Sequence, residues 1–132
     1  MIIIKVLAVD HITINCCNIK ETFDFYENVL GLNRIDTIDL GDHVLHLYQL
    51  PGAKLELIEY KNEQKLVKAS NTNVGVYRHF AIRVDDIEEV KKRCEKAGFG
   101  INLEPTAIPQ LNGQVVMLIV DPNGVEIEIM QA

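Results

Sequence analysis

The sequence predicts an α+β fold of two βαβββ modules whose strands form a curved mixed sheet around a cavity. Two observations carry this expectation. The order strand, helix, three strands occurs twice along the 132 residues. Landmarks also recur at matching distances: Gly31 lies 20 residues after His11 and Gly98 lies 19 after His79, while Ile19 and Ile87 each follow their histidine by 8. The modules run about 1–60 and 76–132 and are joined by a linker over 61–75, within one domain of ordinary size.

Each element has its own local reason. Residues 4–15 alternate and are rich in β-branched side chains, which predicts a strand. IKETFDFYENVL, residues 19–30, places Ile19, Phe23, Tyr26 and Leu30 near one helical face. Asn18 suits its N-cap and Gly31 its exit. Strand-like runs follow at 32–40, 43–50 and 53–60, separated by the turn pairs Gly41-Asp42 and Pro51-Gly52. The polar stretch KNEQKLVKASNTNV over 61–74 reads as linker. The second copy opens with VYRHFAIRV, 76–84, as a strand. DDIEEVKKRCEKAG then forms a helix with Ile87, Val90, Cys94 and Ala97 on one face, capped by Asp85 or Asp86 and ended by Gly98. Segments near 100–104, 114–120 and 125–130 complete the set.

Composition narrows the function. The chain is 48% hydrophobic and 24% charged, an ordinary globular mixture, and its net charge of −6 argues against a nucleic-acid partner. The apolar opening MIIIKVLAVD is interrupted by Lys5 and ended by Asp10, so it reads as a first strand and not as a signal peptide or membrane span. Three cysteines, Cys16, Cys17 and Cys94, are an odd number without a signal sequence, which predicts reduced thiols and a cytoplasmic location. All three read as small buried hydrophobes, because neighbours such as Cys16 and Cys17 bridge only under strain.

The chemistry concentrates in four residues. Each half opens with a strand histidine, His11 in DHITI and His79 in RHFAI. Each half closes with a strand glutamate among aliphatics, Glu56 in KLELI and Glu128 in EIEI. The spacing is 45 residues from His11 to Glu56 and 49 from His79 to Glu128. Taken singly, a strand histidine is a core or surface residue and a strand glutamate is a solvated one, since an unpartnered buried carboxylate costs several kcal/mol. The repeat gives all four the same logical position, converging on a pseudo-twofold axis. Neutral imidazoles and carboxylates without a thiolate suit a borderline divalent cation with positions left for water or substrate oxygens. Glu126 lies on the same face as Glu128 but has Lys54 as its counterpart, so it is expected at a cavity rim, in water, with no part in metal affinity. His46, alternating with Val44 and Tyr48, reads as a core or surface residue. Lys5, Arg78 and Arg83 read as solvated surface charges.

HITINCCNIKETFDFYENVLGL, HFAIRVDDIEE and DPNGVEIEI together resemble the vicinal oxygen chelate superfamily, which includes glyoxalase I, methylmalonyl-CoA epimerase, extradiol dioxygenases and bleomycin-binding proteins. The resemblance spans essentially the whole chain. It implies a metal-centred cavity with His11, Glu56, His79 and Glu128 as ligands, a set similar to that of glyoxalase I. It further implies a metal-dependent lyase or isomerase, lactoylglutathione lyase-like, that abstracts a proton next to a carbonyl and forms a metal-stabilised enediolate. Glu128 is then the candidate base, with Glu56 as the alternative. The implied cofactor is a divalent ion: Ni, Co, Zn, Mn or Fe. The implied partners are a small-molecule substrate, either the thiol adduct of a 2-oxoaldehyde or an acyl-CoA, and a second copy in a homodimer, with no membrane. Arg34 stands out of register with the arginine that relatives use for glutathione. A methylmalonyl-CoA epimerase-like isomerase stays open as an alternative, as do a small-molecule-sequestering resistance protein and a dioxygenase.

Overall fold

A computed structural model describes residues 2–67, 70 and 72–132. The chain folds into two compact units, each with one open, four-stranded mixed sheet. The first unit contains the chain up to Cys17 and Leu32–Gln64. Its strands are β1 (His11–Cys16), β2 (Arg34–Asp39), β3 (His43–Leu50) and β4 (Ala53–Tyr60), in the order β1-β4-β3-β2. The second unit contains Asn18–Gly31 and the chain from Lys65 onward. Its strands are β5 (Phe80–Val84), β6 (Gly100–Ile108), β7 (Gln114–Val120) and β8 (Glu126–Gln131), in the order β5-β8-β7-β6. The predicted α+β class and the repeated strand order are therefore both present. The helix read as part of the first repeat, α1 (Ile19–Phe23) continued by a π-helical segment (Asp24–Val29), groups with the second sheet and with α2 (Ile87–Ala97).

Both opening strands are shorter than the sequence predicts, for one shared reason. β1 runs parallel to β4 with His11 paired to Lys54, and β4 begins only at Ala53, after the Pro51-Gly52 turn. Residues 2–9 have no strand left to pair with, and Ile2, Ile3, Ile4, Val6 and Leu7 are exposed. β5 likewise runs parallel to β8 with Phe80 paired to Ile127, and β8 begins at Glu126 after the Asp-Pro-Asn-Gly turn. The ladder thus starts at residue 80 and not at 76. β6 is longer than expected, reaching Ile108 through two register shifts against β7.

Each sheet has one densely packed apolar face. In the first, Ile14, Tyr48, Leu55 and Leu57 are buried. In the second, Met117, Ile119, Ile127 and Ile129 are fully buried, each worth about 1.5–3 kcal/mol relative to exposure. Asn18 caps α1 by accepting from the Glu21 N–H at 3.2 Å. The buried stripe of this helix is Thr22, Phe25, Tyr26 and Val29, not the predicted Ile19, Phe23, Tyr26 and Leu30. The shift accompanies a π turn closed by the Leu30 N–H on the Phe25 carbonyl at 3.2 Å. Phe25 meets Phe99 edge-on at 5.1 Å. Asp86, one of the two predicted caps, receives the Glu89 N–H at 3.1 Å, and Gly98 exits α2 with φ +80°.

A buried carboxylate ties this helix to the turn before β8. Asp121 Oδ1 accepts the backbone N–H groups of Asn123 and Val125, both at 2.8 Å. Its Oδ2 accepts the Tyr26 hydroxyl at 2.8 Å and the Asn123 amide at 3.1 Å. Burial pushes the Asp121 carboxyl above its ordinary value of 3.8, and the four donors offset that in part. A raised carboxyl pKa favours the folded chain below the unfolded value, and the advantage is lost as pH rises through the folded value. Asp121 therefore opposes acid unfolding. Tyr26→Phe removes one donor to the ionised form, and the expected loss is about 1–3 kcal/mol at neutral pH. Urea unfolding at pH 7 and pH 3 checks this: the loss should shrink at the lower pH.

The thiols divide by position. Cys16 and Cys94 are buried, whereas Cys17 is exposed, against the expectation that all three are buried. Cys17 follows the last residue of β1, where the strand leaves the sheet. Burial pushes the Cys94 thiol up to about 11, which removes its thiolate at neutral pH. Titration of the native protein with a disulfide reagent at pH 8 should modify Cys17 rapidly, and the other two only after unfolding.

Candidate metal centre

The parallel pairings set the four predicted ligands into two like pairs. In the first unit Thr13 pairs with Glu56, so His11, two residues earlier, shares the face of Glu56 with one step of offset. His11 Nε2 lies 3.7 Å from Glu56 Oε2. In the second unit Ala81 pairs with Glu128, so His79 stands at the same offset. His79 Nε2 lies 3.4 Å from Glu128 Oε1. All four side chains lie on the sheet faces opposite the densely packed ones, and Glu56 and Glu128 are partly shielded. Among the described residues, no three or more His, Cys, Asp or Glu side chains gather into a group that could hold a metal ion.

The other ring nitrogens differ. His11 Nδ1 is 2.7 Å from Oδ2 of the exposed Asp10. That bond raises the His11 pKa above 6.5, desolvation opposes it, and the Glu56 charge adds to the rise. The same contact, with Lys54 nearby, holds the Asp10 carboxyl below its usual value. With the Nδ1 proton directed at Asp10, the neutral ring turns its Nε2 lone pair toward the Glu56 carboxylate. Two acceptors then face each other, and only a proton or a cation between them removes the repulsion. A divalent ion with nitrogen and oxygen ligands fits that arrangement.

Around His79 the expectation for Glu126 is overturned. Glu126 is not in water at a rim: it is 5% exposed. Arg78 Nη1 donates to its Oε1, and Asn102 Nδ2 donates to Oε2 at 2.9 Å. Paired in this way, a carboxylate can be buried without the full desolvation cost. Arg78 is correspondingly an ion-pair partner and not the solvated charge its sequence suggests. Strand alternation placed Glu126 on the face of Glu128. Its partner Asn102 was not legible, because Gly100, Val120 and Glu126 align only once β6, β7 and β8 are in register.

His46 belongs elsewhere. It pairs with Leu57, on the face opposite Glu56, and is buried. Its Nε2 is 3.0 Å from Glu59 Oε1. Arg34 lies over the Tyr48 ring at 6.0 Å.

The chain matches the Glyoxalase/Bleomycin resistance protein/Dioxygenase superfamily over residues 8–129. It belongs to this superfamily. It is 31% identical over 121 residues to a probable trivalent organoarsenical cleaving enzyme of Bacillus subtilis, covering 89% of this chain and 75% of that protein. It is 27% identical over 128 residues to a lactoylglutathione lyase of Neisseria meningitidis, covering 92% of this chain and 88% of that one. Its fold is similar to that of the trypanothione-dependent glyoxalase I of Leishmania major, with a TM-score of 0.77 at 22% identity over 96% of this chain and 87% of the other. As a superfamily member the chain has a fold that hosts metal-dependent small-molecule chemistry. No helix among its described residues is long and apolar enough to cross a membrane.

Proposed function

We propose that this chain is a metal-dependent lyase or isomerase of the glyoxalase I type. The observation that carries the proposal is the recurrence of one His–Glu pair at the same register offset in both units, His11 with Glu56 and His79 with Glu128. The four side chains are of the donor types that a divalent cation takes: Ni, Co, Zn, Mn or Fe. When bound, such an ion supplies Lewis acidity to adjacent oxygens of a small substrate. Glu128 takes the proton from the carbon beside the carbonyl and returns it to its neighbour. Glu56 is the alternative base. The substrate class is the thiol adduct of a 2-oxoaldehyde, with an acyl-CoA as the epimerase-like variant. The likeness to a lactoylglutathione lyase of Neisseria meningitidis favours the first. The working form is a homodimer in the cytoplasm. The fully exposed edge strand β2, with Ile35 and Ile38 at its surface, is a face that a second copy would cover.

A second reading follows from the 31% identical Bacillus subtilis protein: cleavage of a trivalent organoarsenical. A trivalent arsenic centre favours thiol ligands, and Cys17 is an exposed thiol at the end of β1. Cys17→Ser separates the readings, because it should leave proton-transfer chemistry intact.

The test is a panel of metal-loaded preparations assayed with methylglyoxal plus glutathione, methylmalonyl-CoA and a trivalent organoarsenical. The expected result is stoichiometric metal, raised thermal stability on loading, and turnover that chelation abolishes. Glu128→Gln should lower kcat by about 10²–10⁴-fold. Unchanged turnover with metal still bound would remove Glu128 as the base. Absence of both metal uptake and metal-dependent stabilisation would overturn the enzyme reading.

A further inference from the structure

His79 Nδ1 is buried and has no hydrogen-bond partner among the described residues. The acceptor recorded beside it is Glu126 Oε1, at 3.7 Å. This distance is too long for a hydrogen bond but short enough for the charge to bias the ring. Glu126 does not drift: Arg78 holds one carboxylate oxygen and Asn102 the other, and the side chain is 5% exposed. No counterpart exists in the first unit, where Lys54 holds the matching place and the exposed Asp10 faces the ring instead.

From this arrangement we infer that Glu126 is a positioning residue that fixes the tautomer of His79. The inference deepens the metal-centre reading above and rests on it for its functional meaning. Each ring nitrogen faces a carboxylate, and Glu128 Oε1 is the nearer, at 3.4 Å from Nε2, but Glu128 is 24% exposed and screened by water whereas Nδ1 and Glu126 are enclosed. The less screened carboxylate attracts the N–H dipole more strongly, so the proton of the neutral ring sits on Nδ1. The lone pair is thereby placed on Nε2, the nitrogen that faces Glu128 at 3.4 Å. The reverse tautomer would set a lone pair against a buried carboxylate and spend the Nε2 proton on the atom required as ligand. Outer carboxylates on metal-binding histidines act in this way, and their loss typically weakens metal affinity by about 10–100-fold. Arg78 and Asn102 serve the same end indirectly, by holding Glu126 in place. Both histidines then share one logic, a carboxylate on the Nδ1 side and a glutamate on the Nε2 side. They differ in exposure: Asp10 is in water, whereas Glu126 is enclosed.

The test begins with the metal-free wild-type chain. Long-range ¹H–¹⁵N correlation of ¹⁵N-histidine protein, at a pH where the ring is neutral, should show His79 protonated on Nδ1. Protonation on Nε2 would overturn the inference without any variant. Glu126→Gln should shift His79 toward the Nε2–H form. It should also weaken binding of Zn²⁺ alone, read by competition with a chromogenic chelator, by about 10–100-fold. A variant with unchanged tautomer and unchanged affinity would also overturn it. A wild-type chain with the Nδ1–H ring that takes up no Zn²⁺ would strike the metal-dependent reading and leave the role of Glu126 on His79 standing.

Discussion

The parallel ladder that begins beside a turn, found once in each sheet, is the constraint on which the rest of the candidate centre depends. β4 starts after Pro51-Gly52 and β8 after Asp-Pro-Asn-Gly, so β1 and β5 acquire partners only from Asp10 and Phe80 onward. Each histidine therefore stands at the mouth of its ladder, beside a turn, where its ring is not packed over by further strand. Strand alternation then does the remaining work. A slip of one residue in β1 against β4 would carry His11 to the packed face with Ile14 and leave Glu56 alone. The turns hold the register: Gly52 and Gly124 adopt φ values of +74° and +81°, a region that residues with a Cβ rarely adopt.

In the second unit that register has an extra anchor. Asp121 accepts two backbone N–H groups of its own turn, and Tyr26 and Asn123 complete its shell. Asn123 in turn donates to Thr22. A helix far upstream in sequence is thus fastened to the turn that leads into β8. Burial raises the pKa of this carboxyl, so its geometry comes at some cost in stability near neutral pH. The return is a fixed starting point for Glu126 and Glu128. The two units share a His–Glu geometry and yet differ around it, with a lysine beside the pair in one and a clamped glutamate in the other. The two units thus place two electrostatic settings on one backbone plan.

The fold class, the repeat and most element boundaries were legible because they follow from local signals. The β3, β4 and β7 spans match the predicted runs, and Asn18, Asp86, Gly31 and Gly98 act at the helix ends. The choice of His11, Glu56, His79 and Glu128 as candidates needed only alternation and a repeat. What failed to show were features set by neighbours distant in sequence. Residues 4–9 have strand composition but no strand to pair with. Phe25 and Val29 enter the core because a π turn rotates them inward. Cys17 is exposed because β1 has already ended.

Glu126 draws the line most clearly. Its residue type and its face were written in EIEI, and from those alone a glutamate beside a turn belongs in water. Whether a carboxylate is solvated or buried depends on which donors reach it, and donors on other strands are a matter of register. Arg78 and Asn102 lie 48 and 24 residues away and meet Glu126 only in the assembled sheet. The sequence by itself determined which residues could bear the chemistry and on which face they stand. The tertiary structure alone decided which of them are held, shielded and aimed, because desolvation and hydrogen bonding are properties of the packed neighbourhood and not of the chain.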